Sequence, residues 1–563
     1  MMFLKTKKHM HQYSSRIPLL ILICFVLLSQ CNKEETVSLI DEIPEAEDPI
    51  VYESDNWWND KVFYQIFVRS FNDSNGDGIG DIQGIIEKLD YLNDGDPNTT
   101  SDLGVTGIWL MPIFPSPSYH GYDVTDYRSI NPDYGSMDDF KSLLSQANAR
   151  GIKIIIDFVG NHTSTQHPWF EASAISQNKR DWYLWQDSKP NYNGPWGQEV
   201  WHERNDAYYY GIFWGGMPDL NFNNQAVTDE IKDIMRFWYQ EVGVAGFRID
   251  AVKHWVEQGS QQENTQSTMD WWRDFYGYQK SIDPALLTVG EAWTSTQNIA
   301  PYSDSRLDYC FEFDLAEAII NSVNNQADFT VKSKINEVIN TYNESQYGTF
   351  LTNHDQDRSF ERFGMDLKKA KMGASLLLSL PGVPFVYYGE EIGMLGKKPD
   401  EDIRRPMQWS SEANAGFSSA TPWHALNSNY TEYNVNIQQN DENSLWRHYQ
   451  KWIQWRNQND ALKKGNYEQI ASSGDSNYSF LRYHEASTNA VIVFHNLSNL
   501  QQNEIVFSRN SSQLPAGEYD LINLSNSNNL GTLVVTDNGS FNGELNNLDI
   551  ASYQSMLVGL DKK

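Results

Sequence analysis

Gly246-Phe247-Arg248-Ile249-Asp250-Ala251-Val252-Lys253-His254 is a short run that alternates apolar with polar residues and ends in charge. Side chains on an extended strand alternate with period two, so Val244, Gly246, Arg248 and Asp250 share one face. Arg248 therefore stands beside Asp250. A guanidinium that close favours the ionised carboxylate and is expected to depress its pKa, as a carboxylate nucleophile requires. The same pair would also serve as a structural ion pair at a strand end. The choice between the two depends on whether other runs end in the same way.

They do. From Trp57 onward the chain repeats one pattern: a short β-branched or aromatic run, polar residues, then a helical segment. The runs are Val62–Arg69, Gly107–Pro112, Ile152–Phe158, Ala245–Asp250, Leu286–Glu291, Tyr309–Asp314, Gly348–Asn353 and Val383–Tyr388. Amphipathic stretches such as Met137–Ala149, Thr228–Glu241 and Leu367–Leu380 lie between them. Continuous apolar strands alternating with helices imply parallel strands covered on both faces. Eight units predict an α/β fold, a (β/α)8 TIM barrel over about residues 56–465, whose reactive groups gather at the C-terminal strand ends. Those ends carry Asp157, Asn161-His162, Asp250, Glu291 and Asn353-His354-Asp355. Acids converging from separate strands on one rim are hard to explain by packing, although helix-capping acids are the structural alternative. Two carboxyls flanking a bond, one ionised and one protonated, are the minimum apparatus for glycoside hydrolysis.

Here the chain resembles the α-amylase family, glycoside hydrolase family 13. The motifs are Asp157-Phe-Val-Gly-Asn-His162, Gly246-Phe-Arg-Ile-Asp250-Ala-Val-Lys-His254, Gly290-Glu291-Ala-Trp293 and Phe350-Leu-Thr-Asn-His354-Asp355. They stand in the family's order and cover its whole barrel; one alone would be weak, four together are specific. Met217-Pro218-Asp219-Leu220-Asn221 looks like a fifth motif, in a form similar to a subgroup intermediate between oligo-1,6-glucosidases and neopullulanases. The resemblance implies Asp250 as nucleophile, Glu291 as general acid/base and Asp355 as the third acid, holding the sugar's O2 and O3. It also implies that Tyr122 stacks on the sugar being cleaved. His120, His162 and His354 would bond its hydroxyls, with Asp123 and Arg248 in the same binding set. Lys253 and His254 would reach the leaving side. Three His on three loops could instead suggest zinc, but their spacing fits no compact metal motif.

Asp73-Ser-Asn75-Gly-Asp77-Gly-Ile79-Gly-Asp81 places oxygen ligands at alternate positions with Gly at the bend, like the first part of an EF-hand loop. It looks like the calcium loop of oligo-1,6-glucosidase-like members; an Asx-rich turn is the alternative. A second calcium site, of Asn161, Asp219 and the His254 carbonyl, matches the α-amylase pattern. The long excursion over about residues 163–223, rich in Trp, Tyr, Asn and Gly, corresponds to the family's inserted B domain. Beyond Tyr467 short strands between Asn/Ser/Gly turns predict a C-terminal antiparallel β-sandwich over 466–563.

The formal charge of −31 makes nucleic acid and anionic membrane surfaces poor partners, while a neutral polymer is unaffected. Among the aromatics, 19 Trp and 30 Tyr include enough to stack on sugar rings. Three Cys provide no disulfide framework. Lys5, Lys7, Lys8 and Arg16 precede an apolar run from Ile17 to Leu28, read as a signal peptide over residues 1–30. Cys31 resembles the lipidated cysteine of bacterial lipoproteins, although Gln30 departs from the small residue usual before it. Plain signal-peptide cleavage is the alternative. Residues 31–55 read as an acidic tether, and Cys31-Asn-Lys-Glu-Glu35 looks like the surface-export signal of Bacteroidetes lipoproteins. The expected setting is an outer-membrane lipid anchor facing the exterior, with an α-glucan substrate and glucan-uptake proteins as partners. The expected activity is retaining, endo-acting hydrolysis of α-1,4 bonds in starch, glycogen or maltooligosaccharides. The alternatives are an α-glucosidase or neopullulanase-like enzyme, and a non-catalytic glucan-binding lipoprotein.

Overall fold

The computed structural model describes residues 56–563 except 176–177, 304 and 343–346. The signal peptide, the acidic tether and Cys31 lie outside the described residues. Eight strands form the central sheet: β1 (Phe63–Ile66), β2 (Gly107–Leu110), β3 (Lys153–Phe158), β4 (Gly246–Ile249), β5 (Leu287–Gly290), β6 (Tyr309–Cys310), β7 (Gly348–Thr349) and β8 (Val383–Tyr387). Neighbours in sequence are neighbours in space, every strand pairing is parallel, and β8 returns to β1. A parallel bridge between Phe311 and Gly348 joins β6 to β7 and completes the ring. The strands are buried along almost their whole length, which is why they read as continuous apolar runs.

The helices around the ring follow from local sequence. Met137–Ala149 starts at a capping box in which Ser136 and Asp139 bond each other's backbone N–H, and it buries Phe140, Leu143, Leu144 and Ala147 on one stripe. The stretch expected as one helix over Thr228–Glu241 is a helix over Gln225–Arg236 that loosens into a π turn, Phe237–Val242. Gly243, at φ 97°, ends it in a left-handed conformation that favours glycine. The sixth strand is shorter than its sequence run because Phe313 already opens the helix Phe313–Asn325, and the seventh pairs only over Gly348–Thr349. Side chains close that quarter of the ring: Phe350 packs on Phe311 and Phe313 at 5.7 and 5.1 Å between centroids.

Between β3 and β4 the chain makes a small three-stranded antiparallel sheet of Trp185–Gln186, Ala207–Tyr210 and Trp201–Arg204, with Val200, Trp201, Tyr210 and Ile212 as its core. It is pinned to the barrel by bridges from His162 to Asp219 and from Tyr183 to Leu220. After the barrel, β9 (Asn466–Ser472), β10 (Asn477–His484), β11 (Asn489–Asn496), β12 (Gln502–Arg509), β13 (Gly517–Asn523), β14 (Asn529–Val535), β15 (Phe541–Ile550) and β16 (Ser555–Lys562) form an antiparallel sheet in the order β14-β13-β16-β11-β10-β9-β12-β15. This sheet encloses an apolar core of its own. No helix among the described residues is long and apolar enough to cross a membrane.

Candidate active site

The site is built on one pairing. β3 and β4 run parallel with Asp157 opposite Arg248, so both side chains leave the same face of the sheet. Arg248 is wholly buried, and its Nη1 donates to Asp157 Oδ1 at 2.9 Å and to Asp250 Oδ1 at 2.7 Å. Its Nη2 stands 3.7 Å from Glu291 Oε2. The guanidinium lies 5.1 Å from the centre of the Trp109 ring, which backs it from the barrel core. Immediately past the β4 terminus Ala251 takes φ 53°, a strained value for a residue with a Cβ. That turn aims the Ala251 N–H at Glu291 Oε2, 2.9 Å away.

Asp355 arrives from the loop after β7 and is held from two sides. Arg404 Nη2 donates to its Oδ1 at 2.9 Å, and Arg404 Nε also holds the His354 carbonyl at 2.9 Å. His354 Nε2 lies 3.1 Å from Asp355 Oδ2 and 2.5 Å from the Tyr122 hydroxyl. Gln65 Nε2 can only donate, so His354 Nδ1 accepts at 2.8 Å and the ring proton sits on Nε2. Tyr122 passes its own proton toward Asp157 Oδ2 at 3.1 Å. The acids, Arg248, Tyr122 and His354 therefore form one network.

The other expected binding residues line its edge. His162 Nε2 donates to the Tyr122 carbonyl at 3.0 Å, while its Nδ1 is buried without a hydrogen-bond partner. His120 Nδ1 accepts the Tyr122 N–H at 3.1 Å. Asp123 accepts from the hydroxyls of Ser116 (2.6 Å) and Ser118. Lys253 bonds the Trp293 carbonyl at 3.1 Å and pairs with Glu263 at 2.8 Å. His254 Nδ1 donates to the Gln262 carbonyl at 2.9 Å.

Electrostatics divide the acids. Burial raises the Asp250 pKa despite Arg248, contrary to the depression expected from the strand pattern alone. One guanidinium is shared among three carboxyls, and none receives its full charge. Burial, with Asp250 and Asp355 nearby, raises Glu291 to about 7 against the pull of Arg248. Burial likewise brings Asp157 to about 7. At Asp355 burial acts upward, but His354, Arg404 and Arg248 outweigh it and bring the carboxyl down to about 2. His354 is itself pushed down by burial and is neutral at neutral pH, so the arginines supply the fixed charge. Burial takes His162 and His254 to about 4, leaving neutral imidazoles suited to hydroxyl groups. The arrangement thus holds around one centre an Asp355 that stays ionised and a Glu291 that keeps its proton up to about pH 7.

Arg404 and Gln65 were not singled out from sequence. Arg404 lies in the loop Glu401–Trp409, which resembles a loop near the cleft in oligosaccharide-active members of the family; its role comes from its contact with Asp355. Asp157, in the motif Asp157–His162, accepts from Arg248 and orients it.

The two calcium candidates lie apart from this network. Asp73 Oδ1 accepts N–H groups of Asn75 and Gly76, and its Oδ2 accepts Gly78 N and Ser418 Oγ. Asn75 Oδ1 and Asp77 Oδ1 each accept one N–H, from Asp77 and Ile79. Asp81 caps the helix Ile82–Glu87. Among the described residues no three His, Cys, Asp or Glu side chains converge as a metal cluster. A cation here would use amide and carbonyl oxygens as well, a donor set calcium accepts. At the second candidate Asn161 Nδ2 donates to Asp219 Oδ2 at 2.9 Å. Beside Asp219 lies Glu257, whose buried Oε1 has no hydrogen-bond partner and whose pKa burial pushes far up. That orphaned oxygen fits a cation at the joint.

Residues 65–465 match the family model described as the alpha amylase catalytic domain. Alpha-amylase 3 of Dictyoglomus thermophilum is 41% identical over 454 residues, covering 79% of this chain and 86% of that protein. The oligo-1,6-glucosidase of Parageobacillus thermoglucosidasius is 33% identical over 505 residues, covering 76% and 88%. Among solved structures, the alpha-amylase from H. orenii superposes with a TM-score of 0.75 at 38% identity, covering 89% of this chain and 99% of that one.

Proposed function

This chain belongs to the α-amylase family, a glycoside hydrolase family acting on α-glucans, and from that premise we propose that it is a retaining, endo-acting α-amylase on starch, glycogen or maltooligosaccharides. The observation that supports it most is one buried guanidinium that hydrogen-bonds Asp250 through Nη1 and stands 3.7 Å from Glu291 through Nη2, with Asp355 bound to a second. Asp250 attacks the anomeric carbon as the bond to the leaving oxygen breaks. Glu291 gives that oxygen its proton, and the leaving chain departs. Arg248 keeps Asp250 aligned as its charge passes into the covalent glycosyl ester. Glu291, now ionised, takes a proton from water, which attacks the ester, frees Asp250 and restores the starting configuration. Asp355 stays ionised and accepts the sugar's O2 and O3 hydroxyls, favouring the oxocarbenium-like transition state. Tyr122 stacks on the same ring, and His120, His162 and His354 bond its hydroxyls.

The similar oligo-1,6-glucosidase keeps a second reading open, an exo-acting α-glucosidase. Product profiles on soluble starch, maltoheptaose and pullulan separate them: mixed maltooligosaccharides early in starch digestion support endo action, and glucose alone overturns it. An Asp250→Asn variant that hydrolyses starch at the wild-type rate would remove the mechanism.

Calcium at Asp73, Asn75, Asp77, the Ile79 carbonyl and Asp81 is part of the same proposal, as is a second ion at Asn161, Asp219 and the His254 carbonyl. The ion would brace the loop after β1 and the joint of the inserted domain. Calorimetric titration with calcium checks both, and no heat of binding refutes them. Lipidation at Cys31 with display on the outer membrane completes the reading; a Cys31→Ser variant should lose fatty-acid labelling and surface accessibility to protease.

A further inference from the structure

The loops after β7 and β8 exchange arginines. Arg404, from the loop after β8, reaches the Asp355 carboxylate and the His354 carbonyl in the loop after β7. Arg358, a few residues past Asp355, reaches the other way. Its Nε donates to the Ile403 carbonyl at 2.9 Å and its Nη1 to the Tyr388 carbonyl at 2.7 Å. Ile403 directly precedes Arg404. Asp355, Arg358, Ile403 and Arg404 thus close a ring in which chain segments alternate with hydrogen bonds.

The backbone that carries Arg404 is held at consecutive carbonyls. The Ile403 carbonyl also accepts the Tyr387 hydroxyl at 3.2 Å, the Arg404 carbonyl accepts Ser70 Oγ at 2.5 Å, and the Arg405 carbonyl accepts the Tyr388 hydroxyl at 2.7 Å. Arg358 itself is 2% exposed, and its guanidinium carbon lies 4.4 and 4.7 Å from the centres of the Tyr387 and Tyr388 rings. Its counter-charge comes from the buried pair Glu390 and Glu391. Tyr449 donates to Glu390 at 2.7 Å, and Tyr64 and Tyr91 donate to Glu391. Burial raises both carboxyls, while the tyrosine hydroxyls and Arg358 pull them back down.

A long side chain such as Arg404 reaches a fixed point only when its own backbone is fixed. The demand is steep, because a misplacement of about 1 Å at a reacting centre costs about a hundredfold in rate. We infer that Arg358 is a positioning residue for glycoside hydrolysis: it fixes the Ile403–Arg405 backbone so that Arg404 meets the Asp355 carboxylate. Being buried, it touches no substrate and acts through Arg404. The Tyr388 hydroxyl supports the same backbone one residue further on. The inference rests on the role proposed for Asp355 and adds to it the residue that sets its clamp.

A double-mutant cycle on maltoheptaose tests this. Arg358→Met should lower kcat about tenfold or more while KM moves less than about threefold, because the lost alignment is used in the transition state. In an Arg404→Ala background the same substitution should cost less than about twofold, since the side chain it positions is gone. Tyr388→Phe keeps the ring, removes one hydroxyl and should lower kcat about two- to fivefold at an unchanged melting temperature. It too should be silent in the Arg404→Ala background. Losses that multiply in the double variants overturn the inference. So does a wild-type kcat in Arg358→Met with only the melting temperature reduced, the mark of a purely structural arginine. If Arg358→Met does not fold, the Tyr388→Phe cycle decides by the same criterion. An Arg404→Ala variant with wild-type kcat overturns the role given to the Asp355 clamp and this inference with it. An Arg404→Ala loss that neither Arg358→Met nor Tyr388→Phe shares overturns this inference alone.

Discussion

Replacing Glu291 by Gln tests the proton inventory of the site through two independent readouts. In the folded protein burial and the charges of Asp250 and Asp355 raise this carboxyl from 4.5 to about 7. The displacement amounts to roughly 3 kcal/mol of preference for the protonated form. The folded state holds the proton more tightly than the unfolded chain does. Its contribution to stability is therefore complete below 4.5 and lost as pH rises through about 7. A Gln side chain cannot ionise. The stability difference between Glu291→Gln and wild type should thus move in the variant's favour by roughly 2–3 kcal/mol between about pH 5 and pH 9. Urea unfolding followed by tryptophan fluorescence at both pH values measures this. On glucans the variant should lose about 10²–10⁴ in kcat, the usual worth of a positioned general acid. On an α-glucosyl fluoride, which leaves without a proton, formation of the glycosyl ester should be largely retained. Wild-type kcat/KM should decline above a basic limb near 7. An equal loss on both substrates, or a stability difference that does not move with pH, would refute the assignment of Glu291 as the protonated acid.

Arg404→Ala removes a fixed charge 2.9 Å from Asp355, whose carboxyl should climb from about 2 toward the ordinary range and carry the acid limb of kcat/KM to higher pH. Because the folded value is depressed, this stabilisation is present above the unfolded value and lost as pH falls through about 2. The variant should therefore be weaker at neutral pH by at most about 2 kcal/mol, and an unmoved acid limb counts against the role. Gly246→Ala would put a Cβ 2.3 Å from the Leu287 carbonyl oxygen, forcing β4 and β5 apart at a cost of about 2 kcal/mol or more; a wild-type melting temperature would contradict that. Chelation should lower the melting temperature of wild type more than that of Asp73→Ala, which lacks the carboxylate that accepts four hydrogen bonds and can lose an ion only from the second site; an equal drop in the two proteins would clear Asp73 of metal binding.

The barrel was legible because each strand is buried on both faces and so writes itself as an apolar run, while each helix repeats a 3.6-residue stripe. The acids were legible because chemistry sits where those runs stop: Asp250 and Glu291 each directly follow a strand. Local sequence also placed Arg248 beside Asp250, since a two-residue period leaves no other face for it. It could not reach further. Arg404 lies 49 residues from Asp355, and no periodicity links a loop after β8 to a carboxylate after β7. The protonation states were likewise beyond reach. Sequence supplied one Arg next to one Asp and so a depressed pKa; the fold supplied burial and two further carboxyls competing for the same guanidinium, and the sign reversed. Identity and order of side chains are local properties that the sequence carries by itself, whereas charge depends on depth and on every neighbour in space, and only the tertiary structure assembles those.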